Sequence, residues 1–212
     1  MSLATGLSNP YWDAVADHIR TDYDGAPVAD PYDFNTTPAL RKFDRYEMVG
    51  RYAWTITDPA TVEFVARHII GGVVDPMAGS GYWLWLLAQL GHDGVGYDVL
   101  PPSLGGNTFH KAGVEHVEIL QCDAAVAVAQ HPDRTLLLSW PPYDNDIGAR
   151  VLRAYAGKRV IYIGEADGGC CGDDEMHSLL RDEWTEVASH RPMQHYGLHD
   201  WVIVYDRAGG AS

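Results

Sequence analysis

The sequence predicts an α/β protein: a three-layer sandwich around a mostly parallel, doubly wound sheet of seven strands that ends in an antiparallel strand pair. Three observations point there. Short apolar runs recur at 72–75, 94–98, 116–120, 135–140 and 159–164, as in strands buried on both faces. Between most of them lie the helical stretches SGYWLWLLAQL, DAAVAVAQ and NDIGARVLRAYAG, an alternation that sets successive strands parallel under helices on both sides. At the end, WTEVASHR and WVIVYDR have strand composition with no helix between them, which is the pattern of an antiparallel pair.

Taken in order, residues 1–50 are irregular. Pro10, Pro27, Pro31 and Pro38 punctuate the aromatic residues Tyr11, Trp12, Tyr23, Tyr32, Phe34 and Phe43, and prolines at this density break regular elements. We expect a wrapping or lid segment over 1–50 and one domain over 51–212. Order begins at TDPATVEFVARHI, where Asp58 is placed to cap and Pro59 suits the first helical position; Val62, Val65, Ala66 and Ile69 then share one helical face. This helix leads into GGVVDPMAGSGYWLWLLAQLG, a strand, an acid, a glycine turn and a very apolar helix.

Composition narrows the function. The chain has 212 residues, of which 46% are hydrophobic and 11% aromatic, enough to bury one substantial core. With 29 acidic against 15 basic residues the formal charge is -14, so the long-range field repels phosphate backbones and disfavours a nucleic-acid partner. No stretch reaches the roughly 18 uncharged apolar residues of a membrane span. A soluble, cytoplasmic protein is the expectation. Cys122, Cys170 and Cys171 have no CxxC spacing and read as reduced thiols. The histidine pair His195 and His199 brackets Gly197 outside any helix, so no metal is expected.

In an open sheet of this kind ligands sit beyond the carboxyl ends of the strands. After the first strand come Asp75, Pro76, Met77, Ala78, Gly79, Ser80 and Gly81. Gly79 and Gly81 let a ligand approach the backbone, and the following helix offers free N–H groups. A dinucleotide turn of the form GxGxxG would need glycine where Leu84 stands, and Asp75 suits a cationic group better than a pyrophosphate.

VVDPMAGSG resembles the first motif of class I S-adenosylmethionine-dependent methyltransferases, especially the DPFAGSG form of the amino-methyltransferases. The resemblance covers roughly 58–206 in order of elements and is specific at 73–81 and 141–143. It implies S-adenosylmethionine as cofactor, held by Asp75, Pro76, Ala78, Gly79 and Gly81. It further implies that Asp98, ending GVGYD, meets the ribose hydroxyls and that Asp123, in ILQCDA, faces the adenine amino group. For each acid the ordinary alternative is a loop carboxylate or a helix cap.

The fourth strand ends LLLSWPPYDND. This resembles the amine-binding motif of the same enzymes, in which Asp, Asn or Ser precedes Pro-Pro-Tyr. Pro141, Pro142 and Tyr143 match. Trp140 departs from the pattern, because an indole N–H donates and does not accept; Ser139 lies one position too early and is assigned to the cofactor side. Asp144 and Asp146 are candidates for the missing acceptor. Glu165, at the end of the fifth strand beside the glycine-rich run ADGGCCG, is a candidate acceptor or base. Arg45 and Arg51 are candidates for the methionine carboxylate.

The resemblance implies in-line methyl transfer, which asks the protein chiefly to align the nucleophile and exclude water. A small-molecule acceptor, with nitrogen as the receiving atom, is the expectation, from the charge, from Trp140 and from the absence of a separate target-recognition domain. The alternatives are an exocyclic amine of nucleic acid and an S-adenosylmethionine-binding enzyme of other chemistry. The oligomeric state is open.

Overall fold

The computed structural model describes residues 6–21, 25–29 and 43–209. Along the chain run α1 (Pro10–Val15), β1 (Ile19–Thr21), β2 (Pro27–Ala29), α2 (Arg45–Arg51), α3 (Pro59–Arg67), β3 (Val73–Asp75), α4 (Tyr82–Gln89) and β4 (Gly94–Asp98). They are followed by β5 (Ile119–Gln121), α5 (Ala124–Ala129), β6 (Thr135–Ser139), α6 (Ile147–Ala154), β7 (Arg159–Glu165), α7 (Asp174–Glu183), β8 (Trp184–His190), β9 (Gln194–His195) and β10 (Asp200–Arg207).

The main sheet has seven strands in the order β5-β4-β3-β6-β7-β10-β8. The pairs from β5 to β7 are parallel, while β10 runs antiparallel to both β7 and β8. The expected architecture is therefore the observed one. Side chains alternate across the sheet: Leu137, Ile161 and Ile163 join the core under α3 and α4, whereas Leu136, Leu138, Val160 and Tyr162 join the core under α5, α6 and α7. This two-sided burial is why β6 reads as an unbroken apolar run rather than an alternating one. Among the described residues no helix is long and apolar enough to cross a membrane.

Asp58 caps α3 through Ala60 N and Thr61 N, with Pro59 in the first turn as expected. Helix α4 buries Tyr82, Trp83, Leu84, Leu86 and Leu87, because it is sandwiched between the sheet and the N-terminal segment. From that segment Tyr11 and Val15 are fully buried, and Tyr11 N donates to the Tyr82 hydroxyl at 3.1 Å. The Tyr82 hydroxyl in turn donates to Asn9 at 2.9 Å.

A second, three-stranded sheet of order β1-β2-β9 joins the N-terminal segment to the chain between β8 and β10. Its strands are two or three residues long, too short to leave a readable pattern. Residues 30–42, which carry Pro31, Tyr32, Phe34 and Pro38, lie outside the described residues, as does Tyr23.

One strand differs from expectation. The run at 116–120 pairs only from Ile119 onward, because His116 N donates to Ser80 O at 2.8 Å and its ring packs on Tyr52 and Tyr82. The start of that run buttresses the glycine turn instead of extending the sheet. Gly81, in the left-handed region at φ 70, caps α4, and a Cβ there would lie 2.7 Å from Val117 Cγ2 and 2.9 Å from Ile119 Cδ1. Gly81→Ala is accordingly expected to destabilise by about 2–4 kcal/mol, from backbone strain plus overpacking, read as a lowered midpoint in denaturant unfolding.

Candidate active site

The strand order reverses between β3 and β6, and the crevice at that switch point is where ligands bind in such sheets. A cleft lies there, lined by Tyr52, Trp54, Asp75, Ala78, His110 and Ser139 among others. Asp75 ends β3, Pro76 is buried behind it, and the chain turns through Gly79 at φ 52 and Gly81. The turn is pinned by Ala78 N donating to Tyr97 O at 2.8 Å and by Gly81 N donating to Ala78 O at 2.8 Å.

Two acids frame this turn. Asp75 is 3% exposed and takes only the Met77 N–H, at 3.2 Å. Burial pushes its carboxyl up to about 7, against the Met77 hydrogen bond and with help from Asp98. Asp98, ending β4, accepts Gly79 N at 3.2 Å on Oδ2 and Leu100 N at 2.9 Å on Oδ1. It is also raised, chiefly by burial, with both N–H bonds opposing and Glu115 adding. Among the described residues neither acid pairs with a cation.

His110, from the loop between β4 and β5, rests over Gly79; a Cβ at Gly79 would lie 2.1 Å from its Nε2. Its Nδ1 is buried without a hydrogen-bond partner, and burial holds the ring below its ordinary pKa.

These residues fit a sulfonium nucleoside on chemical grounds. Two acids lacking a counter-cation and the rings of Tyr52 and Trp54 suit a compact cation with a sugar diol. Asp123 sits otherwise. It caps α5 through Ala125 N and Val126 N and bonds Arg150 Nη2 at 3.0 Å. Burial, the largest single influence, pushes it up, but Arg150 and the helix N–H groups together outweigh that and hold it below its usual range. Its carboxylate is engaged in a cap and an ion pair, the ordinary alternative at this position.

Across the cleft, β6 ends at Ser139, and Trp140 enters the left-handed region at φ 48, unusual for a bulky residue. Trp140 N donates to Ile163 O at 2.8 Å. Its ring stacks on Trp54 at 4.9 Å with 16° between planes. The indole N–H donates to Thr55 Oγ1 at 2.9 Å and to Asp200 Oδ2 at 3.3 Å, and the Thr55 hydroxyl donates to the same Oδ2 at 2.7 Å. Burial pushes Asp200 up to about 6, against these two hydrogen bonds and with Glu165 adding.

The Pro-Pro-Tyr loop is tied to the glycine-rich loop: Gly172 N donates to Pro141 O at 3.0 Å, and Asp144 N donates to Gly172 O at 2.9 Å. Pro142 sits inside this clasp, and Tyr143 is 68% exposed. Asp144 is in the left-handed region at φ 50, while Asp146 stands at the start of α6. Glu165 is engaged by its own surroundings. Its Oε2 takes Cys170 N at 2.9 Å and Cys170 Sγ at 2.7 Å, and its Oε1 takes His199 N at 3.0 Å. Burial pushes it up, but these donors outweigh that and hold it below its usual range. Arg51 pairs with Glu47, and Arg45 packs against the two tryptophans rather than the glycine turn.

The acid that meets Trp140 is Asp200, which reading the ends of strands does not single out. Because β10 is antiparallel, its first residue lies at the edge where parallel strands finish, opposite Glu165. An acid opening the last strand-like run is the signal. Trp54, Thr55 and Tyr52 come from the connection after α2 and carry no local signature.

No family model matches this chain, and no curated protein does either. Solved structures do resemble it. A Burkholderia thailandensis 1,6-didemethyltoxoflavin-N1-methyltransferase with bound S-adenosylhomocysteine is 21% identical, with 90% of this chain and 95% of that one covered at a TM-score of 0.48. An N-methyltransferase from Bradyrhizobium japonicum is 13% identical, with 66% and 87% covered at 0.45. An rRNA methylase from Streptococcus thermophilus is 16% identical, with 71% and 95% covered at 0.44. At these values the likeness carries nothing about the reaction, which has to be read from the site itself.

Proposed function

We propose that the protein is an S-adenosylmethionine-dependent methyltransferase acting on the nitrogen of a small molecule. The observation that carries this reading is the placing of Asp75 and Asp98 on either side of a left-handed glycine turn, neither of them paired with a cation among the described residues. When bound, the cofactor supplies an electrophilic methyl group on a sulfonium. Asp75 faces that positive charge, and Asp98 accepts from the ribose hydroxyls while its backbone donors hold it in place. Tyr52 and Trp54 exclude water from the cleft, and Ser139 closes its far side.

The acceptor enters beside Trp140 and Pro141 and needs a lone pair and a route for its proton. The charge of -14 supports a small acceptor over a nucleic acid. Residues 1–50 we read as a wrapping segment, whose described part packs on α4 through Tyr11 and Tyr82, with 51–212 carrying the main sheet.

The test is calorimetric titration with S-adenosylmethionine and S-adenosylhomocysteine. Wild type is expected to bind both. Asp98→Ala is expected to weaken both by about 10- to 100-fold, the worth of one or two hydrogen bonds to a charged group. No binding to wild type would sink the cofactor assignment. Release of methylthioadenosine instead of S-adenosylhomocysteine on turnover would replace methyl transfer by other chemistry.

A further inference from the structure

On the acceptor side two charged groups have unspent hydrogen-bonding capacity. Asp200 is 2% exposed; its Oδ2 takes the Thr55 hydroxyl and the Trp140 indole N–H, while its Oδ1 is buried with no partner. Arg45, on α2, lies against the same tryptophans, its guanidinium carbon 5.3 Å from the Trp54 ring centre and 5.7 Å from that of Trp140. Its Nε and Nη2 are likewise buried without a partner.

Buried polar atoms left without a hydrogen-bond partner are costly. Here the two groups are opposite in sign and flank one stacked tryptophan pair. They form no direct ion pair with each other. The other carboxylate close by, Glu165, is committed to Cys170 and His199. The Trp140 indole donates to Asp200 Oδ2, which leaves the buried Oδ1 without a donor. Such a pair is complementary to a molecule that carries both a hydrogen-bond donor and an anion.

We propose that Asp200 and Arg45 form a two-point acceptor site, Asp200 Oδ1 receiving the N–H of an amine and Arg45 Nε and Nη2 donating to a carboxylate or similar oxyanion of the same molecule. The substrate class is an amino carboxylate. This rests on the methyl-transfer reading for the fate of the amine, but not for its binding. Asp200 thereby takes the place of the acceptor that Trp140 cannot be. A site built on two buried polar groups rejects analogues lacking either partner, since the orphaned group stays unpaired.

The probes are ortho-, meta- and para-aminobenzoate, which set the two functions at different separations, with aniline and benzoate as single-function controls. Each is titrated into the full chain with and without S-adenosylhomocysteine, for wild type, Asp200→Asn and Arg45→Gln. At least one aminobenzoate is expected to bind wild type about tenfold or more tighter than both controls. Arg45→Gln is expected to reduce it to the level of aniline, and Asp200→Asn to the level of benzoate. S-adenosylhomocysteine binding, assigned above to Asp98 and the glycine turn rather than to Asp200 or Arg45, should persist in both variants and reports that they are folded.

The wild-type comparison needs no variant and stands even if Asp200→Asn fails to fold. No isomer exceeding the controls, or an Arg45→Gln protein that binds the aminobenzoates unchanged, overturns the two-point site. Wild type that shows the probe pattern but binds no S-adenosylhomocysteine instead overturns the cofactor reading and leaves this site standing.

Discussion

Deleting residues 1–50 is expected to leave a chain that does not fold cooperatively. Tyr11, Val15, Val28, Phe43 and Val49 are each no more than 6% exposed, and Tyr11, Val15 and Phe43 belong to the core that holds Leu86, Leu137 and Ile161. Large apolar side chains contribute about 1.5–3 kcal/mol each on full burial, so five of them approach the net stability of a typical domain, about 5–15 kcal/mol.

The polar losses compound this. Asn9 Nδ2 donates to Thr57 O at 2.5 Å, the Thr57 hydroxyl donates to Asn9 at 3.0 Å, and the Tyr11 hydroxyl bonds the His195 ring at 2.8 Å. Removing Asn9 and Tyr11 orphans buried Thr57, Tyr82 and His195 together. Near-ultraviolet circular dichroism and a thermal scan check the outcome. A truncated chain that melts sharply within a few degrees of the full one would show the segment to be an accessory lid, not a structural part of the fold.

Asp75→Asn is expected to make the protein more stable and a poorer binder of S-adenosylmethionine. A carboxyl raised to about 7 in the folded state, against about 3.9 when unfolded, holds its proton longer when folded. The folded protein then binds more protons than the unfolded chain between those values, so stability falls as pH rises from about 4 to about 7. Above pH 7 the whole penalty is present, up to about 4 kcal/mol.

The amide keeps the Met77 N–H bond and carries no charge. Its gain should therefore be full at pH 8 and vanish below about pH 4, as read from denaturant midpoints. In wild type, affinity for cationic S-adenosylmethionine should rise with pH through about 7, while that for S-adenosylhomocysteine, neutral at sulfur, should stay flatter. Asp75→Asn should abolish this difference and lower S-adenosylmethionine affinity about tenfold or more. Equal pH profiles for the two ligands in wild type would remove Asp75 from the sulfonium's surroundings.

The sequence by itself determined the layered architecture, because burial on two faces imposes unbroken apolar strands and helices of readable period on the chain. It also marked the glycine turn and the acids Asp75 and Asp98, since local backbone needs and the ends of parallel strands are written in short stretches. Only the tertiary structure decided which carboxylates are available. Asp123 and Glu165 stand where the strand ends place them, yet each is engaged, Asp123 by Arg150 and the start of α5, Glu165 by Cys170 and His199. Asp200 meets Trp140 because β10 runs against its neighbours, and Trp54, Thr55 and Arg45 meet it because α2 and the connection after it pack there. Strand direction and long-range packing bring together residues 60–145 positions apart in the chain, and no local pattern in a sequence encodes which of them will meet.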